Sequence, residues 1–430
     1  MRFNRLLQVA CMVESVVTPR ALRLLLRQFR HAPEPEYEPK KKSLLYVAAS
    51  SLPYHISGYT VRTQSLLTAM QDAGLSVSVQ TRPGYPWDRP DGLVNTESDK
   101  TDVEGIAYYH ACKPTRYRPI FAFALQGASV IAEKAQEQRV AVVHAASNYA
   151  NALPALFAAR RLGVPFHYEM RGLWELTRAS RQLGFEQSAG YRLGLALEGL
   201  LARHADRVYV ISDALGEFAQ EQWGLSPRKI RLLPNCIDPK AIVPVHADDI
   251  VEPMTIGYAG SLIGYEGLDT LLDALSLLHQ QGRLVRLRIV GDGEARFDLE
   301  DQMRSLGLTH AVQFLGRLPP EEARATLGCC ALVCIPRKPC SVCKIVPPLK
   351  LVEALALGKA VVVPDLPVFR GELGEDAPAL FFRSGDALDL AQVIATGLDD
   401  RALLYTLGQR ARHYAVNHRN WSRFVASFVH

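Results

Sequence analysis

The sequence lacks the features that mark several large classes of protein. None of its apolar runs is long enough to span a bilayer, and the longest candidate near the N-terminus, residues 6–17, also contains Gln8 and Glu14. The eight cysteines are not accompanied by an export signal, which indicates a reducing compartment rather than a disulfide framework. The net charge of +5 over 430 residues is too small to indicate binding to nucleic acid. We therefore expect a cytoplasmic protein that is either soluble or peripheral on the cytoplasmic face of a membrane.

Metal binding is another use of cysteine in a reducing compartment, and five cysteines lie close together: Cys329, Cys330, Cys334, Cys340 and Cys343. The spacing of Cys340 and Cys343 suits a pair of metal ligands. A metal site also needs ligands that converge, yet Cys334 falls on a predicted strand and Cys329 at the end of a predicted helix. Free buried thiols are therefore favoured, and we expect neither a metal nor another cofactor.

Residues 1–42 differ in composition from the rest of the chain and form a predicted N-terminal appendage. Four arginines recur at helical spacing beside leucines: Arg20, Arg23, Arg27 and Arg30. Prolines and three consecutive lysines follow, which indicates a linker. A basic helix with an apolar face can lie on an anionic membrane surface. A helix packed on the body of the protein and a disordered tail are the two alternatives.

From residue 43 the hydrophobic pattern alternates between strands and helices, in two series. Strands separated by helical patterns predict parallel, doubly wound sheets. The first series predicts a domain at residues 43–238, a polar linker follows at 239–253, and the second domain covers 254–409. The predicted strands are 44–49, 77–80, 140–144, 165–169 and 207–212 in the first domain, and 254–259, 284–290, 312–315, 331–335 and 360–363 in the second. A ligand of two such domains is expected in a cleft between them, beyond the carboxyl ends of the strands.

Residues 347–365 carry the most specific local pattern. Their apolar spacing predicts a helix that ends at Gly358 and leads into a buried strand. No Ser, Thr, Asp or Asn precedes the helix as a cap, and Lys350 places a cation in the first turn, where the helix dipole disfavours it. A bound anion would interact favourably with the uncapped N–H groups and with Lys350, and Glu353 one turn later can accept hydrogen bonds from a diol. A nucleotide sugar has both a phosphate and a diol. The alternative is an ordinary core helix with a Lys350–Glu353 surface pair.

Three loops that follow predicted strands are rich in small residues. They are Ser57-Gly58 in the first domain, and Gly260-Ser261 and Gly291-Asp292-Gly293 in the second. Glycine at such a turn lets backbone N–H groups approach a phosphate, although most such glycines are structural. The Gly-Asp-Gly spacing lacks the dinucleotide fingerprint, which argues against a nicotinamide enzyme.

Several motifs occur in the order in which family 4 glycosyltransferases have them, so the chain resembles that family from about residue 44 to the C-terminus. In the first domain these motifs are GYTVRT at 58–63, YEMRGLWE at 168–175 and ADRVYVIS at 205–212. At the junction and in the second domain they are LPNCID at 233–238, GYAGS at 257–261, IVGDG at 289–293, VQFLGR at 312–317 and the segment that starts with PLK at 348.

The resemblance implies the GT-B fold, with an acceptor-binding first domain, a nucleotide-sugar-binding second domain, and a final helix, about 410–430, that crosses back to the first. It also implies a metal-independent transferase that moves a sugar, with retention at the anomeric carbon, from a nucleotide-diphosphate sugar to a glycan or lipid-linked acceptor in polysaccharide biosynthesis. Positive groups must then neutralise the departing diphosphate. The catalytic residues implied are Arg337, Lys350 and His144. The donor-binding residues implied are Gly58, Gly260, Ser261, Gly291, Asp292, Arg317, Leu318, Arg337, Lys350, Leu351 and Glu353, and those on the acceptor side are Arg171 and Glu175.

The donor side departs from the family pattern at two positions. Ile345 stands where a first glutamate is usual, and Glu266 stands where a lysine is usual. Family members with YEGLD and PLK motifs, which this chain has at 265–269 and 348–350, share these replacements. In that subgroup Arg337 and Lys350 are expected to take over the diphosphate.

The first domain departs as well, because Ala146 replaces the second of two histidines that are usual after its middle strand. His144 is then either a cleft residue or a buried one, and Arg171 either faces the cleft or only braces Glu169 or Glu175. These departures leave open a catalytically degenerate module that binds a nucleotide sugar or a partner enzyme without turnover. A GT-B epimerase or hydrolase of the nucleotide sugar is a further alternative.

Overall fold

The structure, a computed structural model, describes residues 2–29, 36–89, 98–115, 119–245 and 252–429. Residues 30–35 of the predicted appendage, which include Arg30, and residues 246–251 of the predicted linker lie outside the described residues. The chain forms two units. Unit 1 consists of the residues up to Pro234 together with those from Phe424 onward, and unit 2 is Asn235–Arg423.

Unit 1 contains eight strands that form a single sheet. They are β1 (Ser43–Ala48), β2 (Ser76–Thr81), β3 (Lys100–Val103), β4 (Ile106–Tyr109), β5 (Val142–Ala146), β6 (Phe166–Met170), β7 (Arg207–Val210) and β8 (Ile230–Leu232). Their order in the sheet is β3-β4-β2-β1-β5-β6-β7-β8, and only β3 and β4 run antiparallel to each other. This pairing confirms the doubly wound parallel sheet that the sequence predicts. The prediction was possible because strands that are covered on both faces appear in the sequence as continuous apolar runs. The β3–β4 hairpin was not predicted.

In unit 1, the helices that follow β1, β5 and β7 begin at polar caps. The helices of this unit are α1 (Arg2–Phe29), α2 (Gly58–Asp72), α3 (Ile120–Glu137), α4 (Tyr149–Leu162), α5 (Trp174–Ala179), α6 (Ala189–His204) and α7 (Asp213–Trp223). Ser57 and Thr60 form a reciprocal capping box at α2, and Asn148 caps α4. The caps therefore fix where the loops after β1 and β5 end.

The helix α1 packs against α3, α4 and α6 of unit 1. Leu22 and Leu26 are 0% and 2% exposed, and the Glu14 carboxylate accepts a hydrogen bond from the backbone N–H of Ile120 at the start of α3 at 3.2 Å. The helix therefore packs on the body of the protein through one of its faces. In the described part of the chain, no helix combines the length and the apolar character needed to cross a membrane.

Unit 2 contains six strands, and every neighbouring pair is parallel. They are β9 (Glu252–Ala259), β10 (Arg286–Val290), β11 (Val312–Gly316), β12 (Cys330–Cys334), β13 (Val361–Pro364) and β14 (Ala379–Phe382). Their order in the sheet is β11-β10-β9-β12-β13-β14. The second predicted parallel sheet is therefore confirmed, with β14 as a strand that was not predicted.

The helices of unit 2 lie between and after these strands in the chain. They are α8 (Leu268–Gln280), α9 (Arg296–Ser305), α10 (Pro320–Cys329), α11 (Ser341–Ile345), α12 (Leu349–Ala356), α13 (Pro367–Leu373), α14 (Ala387–Asp399) and α15 (Arg401–His418). The last helix, α16, is Trp421–Val429, and from Phe424 onward its residues belong to unit 1. There the Phe428 ring stacks on Tyr209 of β7, with ring centroids 4.4 Å apart.

Candidate functional site

In unit 2 the predicted donor-binding residues follow neighbouring strands. The parallel strands β11, β10, β9 and β12 are adjacent, so the loops after their carboxyl ends meet at one edge of the sheet. These loops are hydrogen-bonded to each other: the N–H of Gly260 donates to the Val290 carbonyl at 2.9 Å, and that of Gly291 to the Gly316 carbonyl at 2.7 Å. The predicted residues at this edge or on α12 are Gly260, Ser261, Gly291, Asp292, Arg317, Leu318, Arg337, Lys350, Leu351 and Glu353.

The loop after β9 passes too close to its neighbours to carry a side chain at Gly260. A Cβ atom there would lie 2.5 Å from Lys350 Nζ, and a Cβ on Gly291 would collide with the Gly260 carbonyl. Both glycines have positive φ angles, of 155° and 134°. Glycine is therefore required at both positions, and at Gly260 it makes room for the lysine ammonium.

Arg337 and Lys350 meet on the carboxylate of Glu266, which lies in a short 3-10 turn, Gly264–Glu266, before α8. The Arg337 Nη2 lies 2.8 Å from Oε1 of Glu266, and the Arg337 Nε lies 3.2 Å from both carboxylate oxygens. The Lys350 Nζ lies 2.8 Å from Oε2 of Glu266 and 2.6 Å from the Tyr258 hydroxyl oxygen. The Arg337 Nη1 donates to the carbonyl of Val346 at 2.8 Å. The two predicted cations are thus brought together, with an anion between them.

The three charged groups lie in a largely buried environment. Glu266 is 3% exposed and Arg337 is 8% exposed. Burial would raise the pKa of Glu266, but Arg337 and Lys350 outweigh it and lower that pKa to about 2. Burial lowers the pKa of Lys350, and Glu266 opposes this change. With both basic groups charged, the cluster carries two positive charges and one negative charge at neutral pH.

The start of α12 is open, as the sequence predicts. Pro348 is the N-cap residue, and among the described residues no side chain accepts a hydrogen bond from the first N–H groups. The Asn235 side chain donates to the carbonyl of Pro347 at 3.1 Å and so fixes the backbone before the helix. The unsatisfied N–H groups and the Lys350 ammonium therefore lie on the same turn, an arrangement that suits an anion.

Two other predicted residues on α12 differ in their surroundings. Leu351 is 1% exposed, so its side chain belongs to the core and only its backbone is open to a ligand role. Glu353 is half-buried, one turn after Lys350. Burial raises the pKa of Glu353, and Arg324 and Lys350 oppose the change.

The remaining donor residues of unit 2 lie on more open loops. The Asp292 carboxylate accepts a hydrogen bond from the N–H of Gly293 at 2.9 Å, and the exposed Arg317 lies with its Nε 4.0 Å from Asp292 Oδ2. Leu318 is half-buried beside Arg317. The exposed Ser261 accepts a hydrogen bond at its carbonyl from the Tyr258 hydroxyl, with an O···O distance of 2.9 Å.

In unit 1, motifs that are distant in sequence converge on the buried carboxylate of Glu169. Arg62 donates from Nη2 to Oε1 at 3.0 Å, and it also donates to the backbone carbonyls at 233 and 234. Arg171 donates from Nε to Oε1 at 2.9 Å and from Nη2 to Oε2 at 3.2 Å. The Tyr46 hydroxyl donates to Oε2 at 2.6 Å. The motifs GYTVRT, YEMRGLWE and LPNCID therefore meet in one hydrogen-bonded network.

His144 belongs to this buried network, as the buried alternative for this residue predicts. It is 0% exposed, and its Nε2 lies 3.2 Å from Oε2 of Glu169. Its ring stacks on Tyr46 with centroids 5.0 Å apart, and Phe428 lies 5.4 Å away by the same measure. Burial lowers the pKa of His144 despite the bond to Glu169. Because no part of the side chain reaches solvent within unit 1, this placement gives its predicted catalytic role no support.

The two residues predicted for the acceptor side are also turned inward. Besides Glu169, Arg171 donates to the Tyr59 carbonyl and to the Thr63 hydroxyl, at 3.0 and 2.8 Å, so it braces Glu169 as the alternative stated. Glu175 is 6% exposed and lies against Gly194 of α6. Burial raises the pKa of Glu175 to about 6. Neither side chain offers a free polar group to a ligand surface of unit 1.

Two exposed residues flank these buried ones. Gly58 is the first residue of α2 and is exposed, just after the Ser57 cap. Trp174 is 63% exposed and lines an apolar cavity of about 230 Å³ together with Tyr149 and Phe123.

The clustered cysteines are mainly buried thiols. Burial raises the pKa of Cys330 and of Cys343 to about 12, and both side chains are buried. In the described ranges, no group of three or more His, Cys, Asp or Glu side chains is arranged to hold a metal ion.

Two family descriptions match consecutive parts of the chain. "Glycosyl transferase 4-like domain" matches residues 57–236, and "Glycosyl transferases group 1" matches residues 249–414. Together these ranges take in well over half of the sequence. The chain belongs to the GT-B glycosyltransferases of family 4.

Curated relatives of this family member are distant and only partly covered. The chain is 24% identical over 255 residues to 2-deoxystreptamine glucosyltransferase from Streptomyces kanamyceticus, which is 57% of this chain and 64% of the relative. Across the curated relatives that it matches, the chain spans between 35% and 64% of their length.

Solved structures agree with the fold over most of the chain. Sucrose-phosphate synthase from Thermosynechococcus elongatus has a TM-score of 0.72 at 18% identity, with 90% of this chain and 97% of that one covered. HepE from Anabaena in complex with UDP-glucose has a TM-score of 0.66 at 18% identity, with coverages of 90% and 98%. At this identity the similarity establishes the fold, which is the GT-B fold that the motifs imply.

Proposed function

We propose that this family member is a retaining glycosyltransferase that does not depend on a metal ion. It moves a hexose or related sugar from a nucleotide-diphosphate sugar to a glycan or lipid-linked acceptor in polysaccharide biosynthesis. The observation that carries the proposal is the pairing of Arg337 and Lys350 at the open N-terminus of α12. Family membership supports the reaction class, and HepE, a structural relative, binds UDP-glucose.

The cation pair supplies what the leaving group needs. When the sugar–phosphate bond breaks, negative charge develops on the diphosphate, and fixed positive groups in a buried site stabilise that charge more than water does. Arg337 and Lys350 are fixed by Glu266 and by the backbone, so little reorganisation is needed at the moment of reaction. The open N–H groups of α12 add a partial positive charge at the same place.

The rest of the donor lies along the same edge of the unit 2 sheet in this proposal. Glu353 accepts hydrogen bonds from the ribose hydroxyls, one turn beyond Lys350. The backbone at Arg317 and Leu318 lies along the edge of the base, and the loops at Gly260 and Gly291 let backbone approach the phosphates. The buried Glu169 network holds the first domain's motifs in shape rather than contacting the acceptor.

We further propose that the enzyme works at the cytoplasmic face of a membrane through α1. That helix exposes Val13, Val16 and Val17 as well as Arg20, Arg23 and Arg27, a combination that suits anionic lipid. Replacing the three arginines with glutamine should lower binding to phosphatidylglycerol vesicles without changing the melting temperature. Unchanged binding to those vesicles would remove the membrane proposal.

The first experiment is a thermal-shift screen of the full chain. UDP, GDP and ADP are each compared with the matching nucleoside, because a ligand that binds only the folded state raises the melting temperature. We expect at least one diphosphate to raise it and its nucleoside to raise it much less. If no diphosphate has an effect, the proposed donor class is wrong.

The second experiment is a transfer assay. It uses nucleotide sugars that contain the diphosphate that binds. The radiolabelled nucleotide sugar is incubated with and without a lipid-linked acceptor, and the anomeric configuration of the product is determined by NMR. Acceptor-dependent transfer with retained configuration is expected. Loss of the sugar to water, or its isomerisation without acceptor, would instead indicate a hydrolase or an epimerase.

A further inference from the structure

Glu266 is built into the cation pair, and the backbone fixes its position. Gly267, directly after it, has a φ of 76°, and a Cβ atom there would collide with the carbonyl of Pro336. Pro336 is the residue before Arg337, so the turn that carries the carboxylate is pressed against the segment that carries the guanidinium. The carboxylate is thus held on Arg337 by the backbone as well as by charge.

The groups around this carboxylate leave it as the main internal anion of the site. Arg337 and Lys350 donate to it, and the Tyr258 hydroxyl accepts from Lys350 while donating to the Ser261 carbonyl. Tyr265 lies under the Arg337 guanidinium, with the ring centroid 5.8 Å from Cζ. Burial raises the pKa of Tyr258 well above its usual value, so its hydroxyl adds no negative charge. The negative charge that faces the two cations therefore comes chiefly from Glu266.

The N–H groups of Arg337 and Lys350 that donate to Glu266 are also the donors that a diphosphate would use. Two buried cations without an anion are unfavourable, because each loses solvation and they repel each other. Glu266 removes that cost while the site is empty. When a diphosphate arrives, however, its charge meets a carboxylate that already occupies Arg337 and Lys350.

We propose that Glu266 is an internal counter-ion that holds Arg337 and Lys350 in place in the empty site and opposes the binding of nucleoside diphosphate. It is a positioning residue, and it weakens the hold of the enzyme on its diphosphate product. This inference rests on the proposed function, since it says that Glu266 lowers the affinity of the proposed donor site for the diphosphate product.

The sign of one mutational effect separates this role from a purely structural one. Glu266→Gln keeps the shape and a hydrogen-bond acceptor but removes the charge. If Glu266 is a counter-ion, the variant leaves two cations for the diphosphate and binds it more tightly. If Glu266 only braces the site, the variant loosens Arg337 and Lys350 and binds the diphosphate more weakly.

The experiment is calorimetric titration of the full chain with UDP, GDP and ADP. We expect Glu266→Gln to bind the preferred diphosphate about tenfold more tightly, which corresponds to about 1.4 kcal/mol. Inhibition of transfer by that diphosphate should strengthen by the same factor. The matched control is Asp269→Asn, which makes the same chemical change at the start of α8, where Asp269 lies 2.5 Å from Lys338 Nζ. Its affinity should equal that of the wild type.

A second pair of variants keeps the test decisive if Glu266→Gln folds poorly. Lys350→Gln alone should lose affinity, and adding Glu266→Gln to it removes one anion and restores the wild-type net charge of the cluster. We expect the double variant to recover affinity relative to Lys350→Gln. Equal or weaker binding in either comparison overturns the inference.

Failure of the proposed function would look different. If the wild type binds none of the three diphosphates, that proposal fails, and inorganic pyrophosphate then decides the inference. Pyrophosphate should raise the melting temperature of Glu266→Gln by several degrees more than it raises that of the wild type. Equal shifts in the two proteins would overturn the counter-ion role.

Discussion

A Cβ atom on Gly260 would lie 2.5 Å from the ammonium nitrogen of Lys350, so the loop after β9 and the first turn of α12 are fitted to each other. The lysine comes from a part of the chain 90 residues away from the glycine (350 − 260). Its position therefore depends on a residue that contributes no side chain at all.

This relationship makes Gly260→Ala a test of the donor site. The methyl group would displace Lys350 from Glu266 and Tyr258, and the φ of 155° adds strain. We expect the affinity for the nucleoside diphosphate to fall about tenfold or more, as measured by calorimetry. Gly282→Ala is the control, because Gly282 also has a positive φ, of 78°, with open space at its Cβ. That control should lose about 1 kcal/mol of stability and no affinity. Equal affinities in the two variants would contradict the fitted arrangement.

The packing of α1 can be tested with two leucines two residues apart. Leu22 is 0% exposed and Leu24 is 61% exposed. Leu22→Ala leaves a cavity against unit 1 and should lower the free energy of unfolding by about 2–5 kcal/mol. Leu24→Ala should change it by less than about 0.5 kcal/mol. Urea denaturation of both variants measures the two changes. If Leu22→Ala changed the free energy of unfolding as little as Leu24→Ala, the helix would not pack as described.

A buried carboxyl in unit 1 should give the stability of the protein a pH dependence. Glu198 is 0% exposed, accepts a hydrogen bond from the N–H of Tyr149 at 2.7 Å, and is hydrogen-bonded to the Tyr168 hydroxyl. Burial and the nearby Glu175 raise the pKa of Glu198 to about 8. Its pKa in the unfolded chain is the ordinary value of about 4.3.

Because the folded state binds this proton more tightly than the unfolded state, the free energy of unfolding falls as the pH rises from the unfolded to the folded pKa of Glu198. Its contribution is present below about pH 4.3 and is lost by about pH 8, with a change on the order of a few kcal/mol. Glu198→Gln cannot ionise, so the fall in stability between pH 5 and pH 9 should be smaller than in the wild type. Denaturation curves at several pH values measure both slopes, and parallel slopes would refute the assignment.

Much of the fold could be predicted because local patterns determine it. Buried parallel strands such as β1 and β13 read as continuous apolar runs, and Gly358 ends α12 as a left-handed cap. The hairpin β3–β4 was missed because β3 is short and half exposed, which leaves little apolar pattern. The packing of α1 on the rest of unit 1 could not be predicted from the sequence, because a basic helix with leucines suits a membrane and a protein surface equally well.

The contacts of the site residues were less predictable, because they depend on the order of strands in the sheet. Lys350 and Glu266 are 84 residues apart, and they meet because β12 is adjacent to β9 although β10 and β11 lie between them in the chain. The position of Glu266 was recognised only as a departure from the family pattern. In the same way, the sequence leaves His144 and Arg171 either in a cleft or buried, and it names Glu169 as a possible partner of Arg171 but not of His144, which the structure places 3.2 Å from the same carboxylate.

The central claim is that Lys350 recognises the diphosphate of a nucleotide sugar, and a comparison of two ligands tests it most directly. Wild type and Lys350→Ala are titrated with the preferred nucleoside diphosphate and with its nucleoside. We predict that the variant binds the diphosphate at least about tenfold more weakly, which is a loss of about 1.4 kcal/mol, while its affinity for the nucleoside is unchanged. Equal losses for the two ligands, or no loss for the diphosphate, would contradict the account.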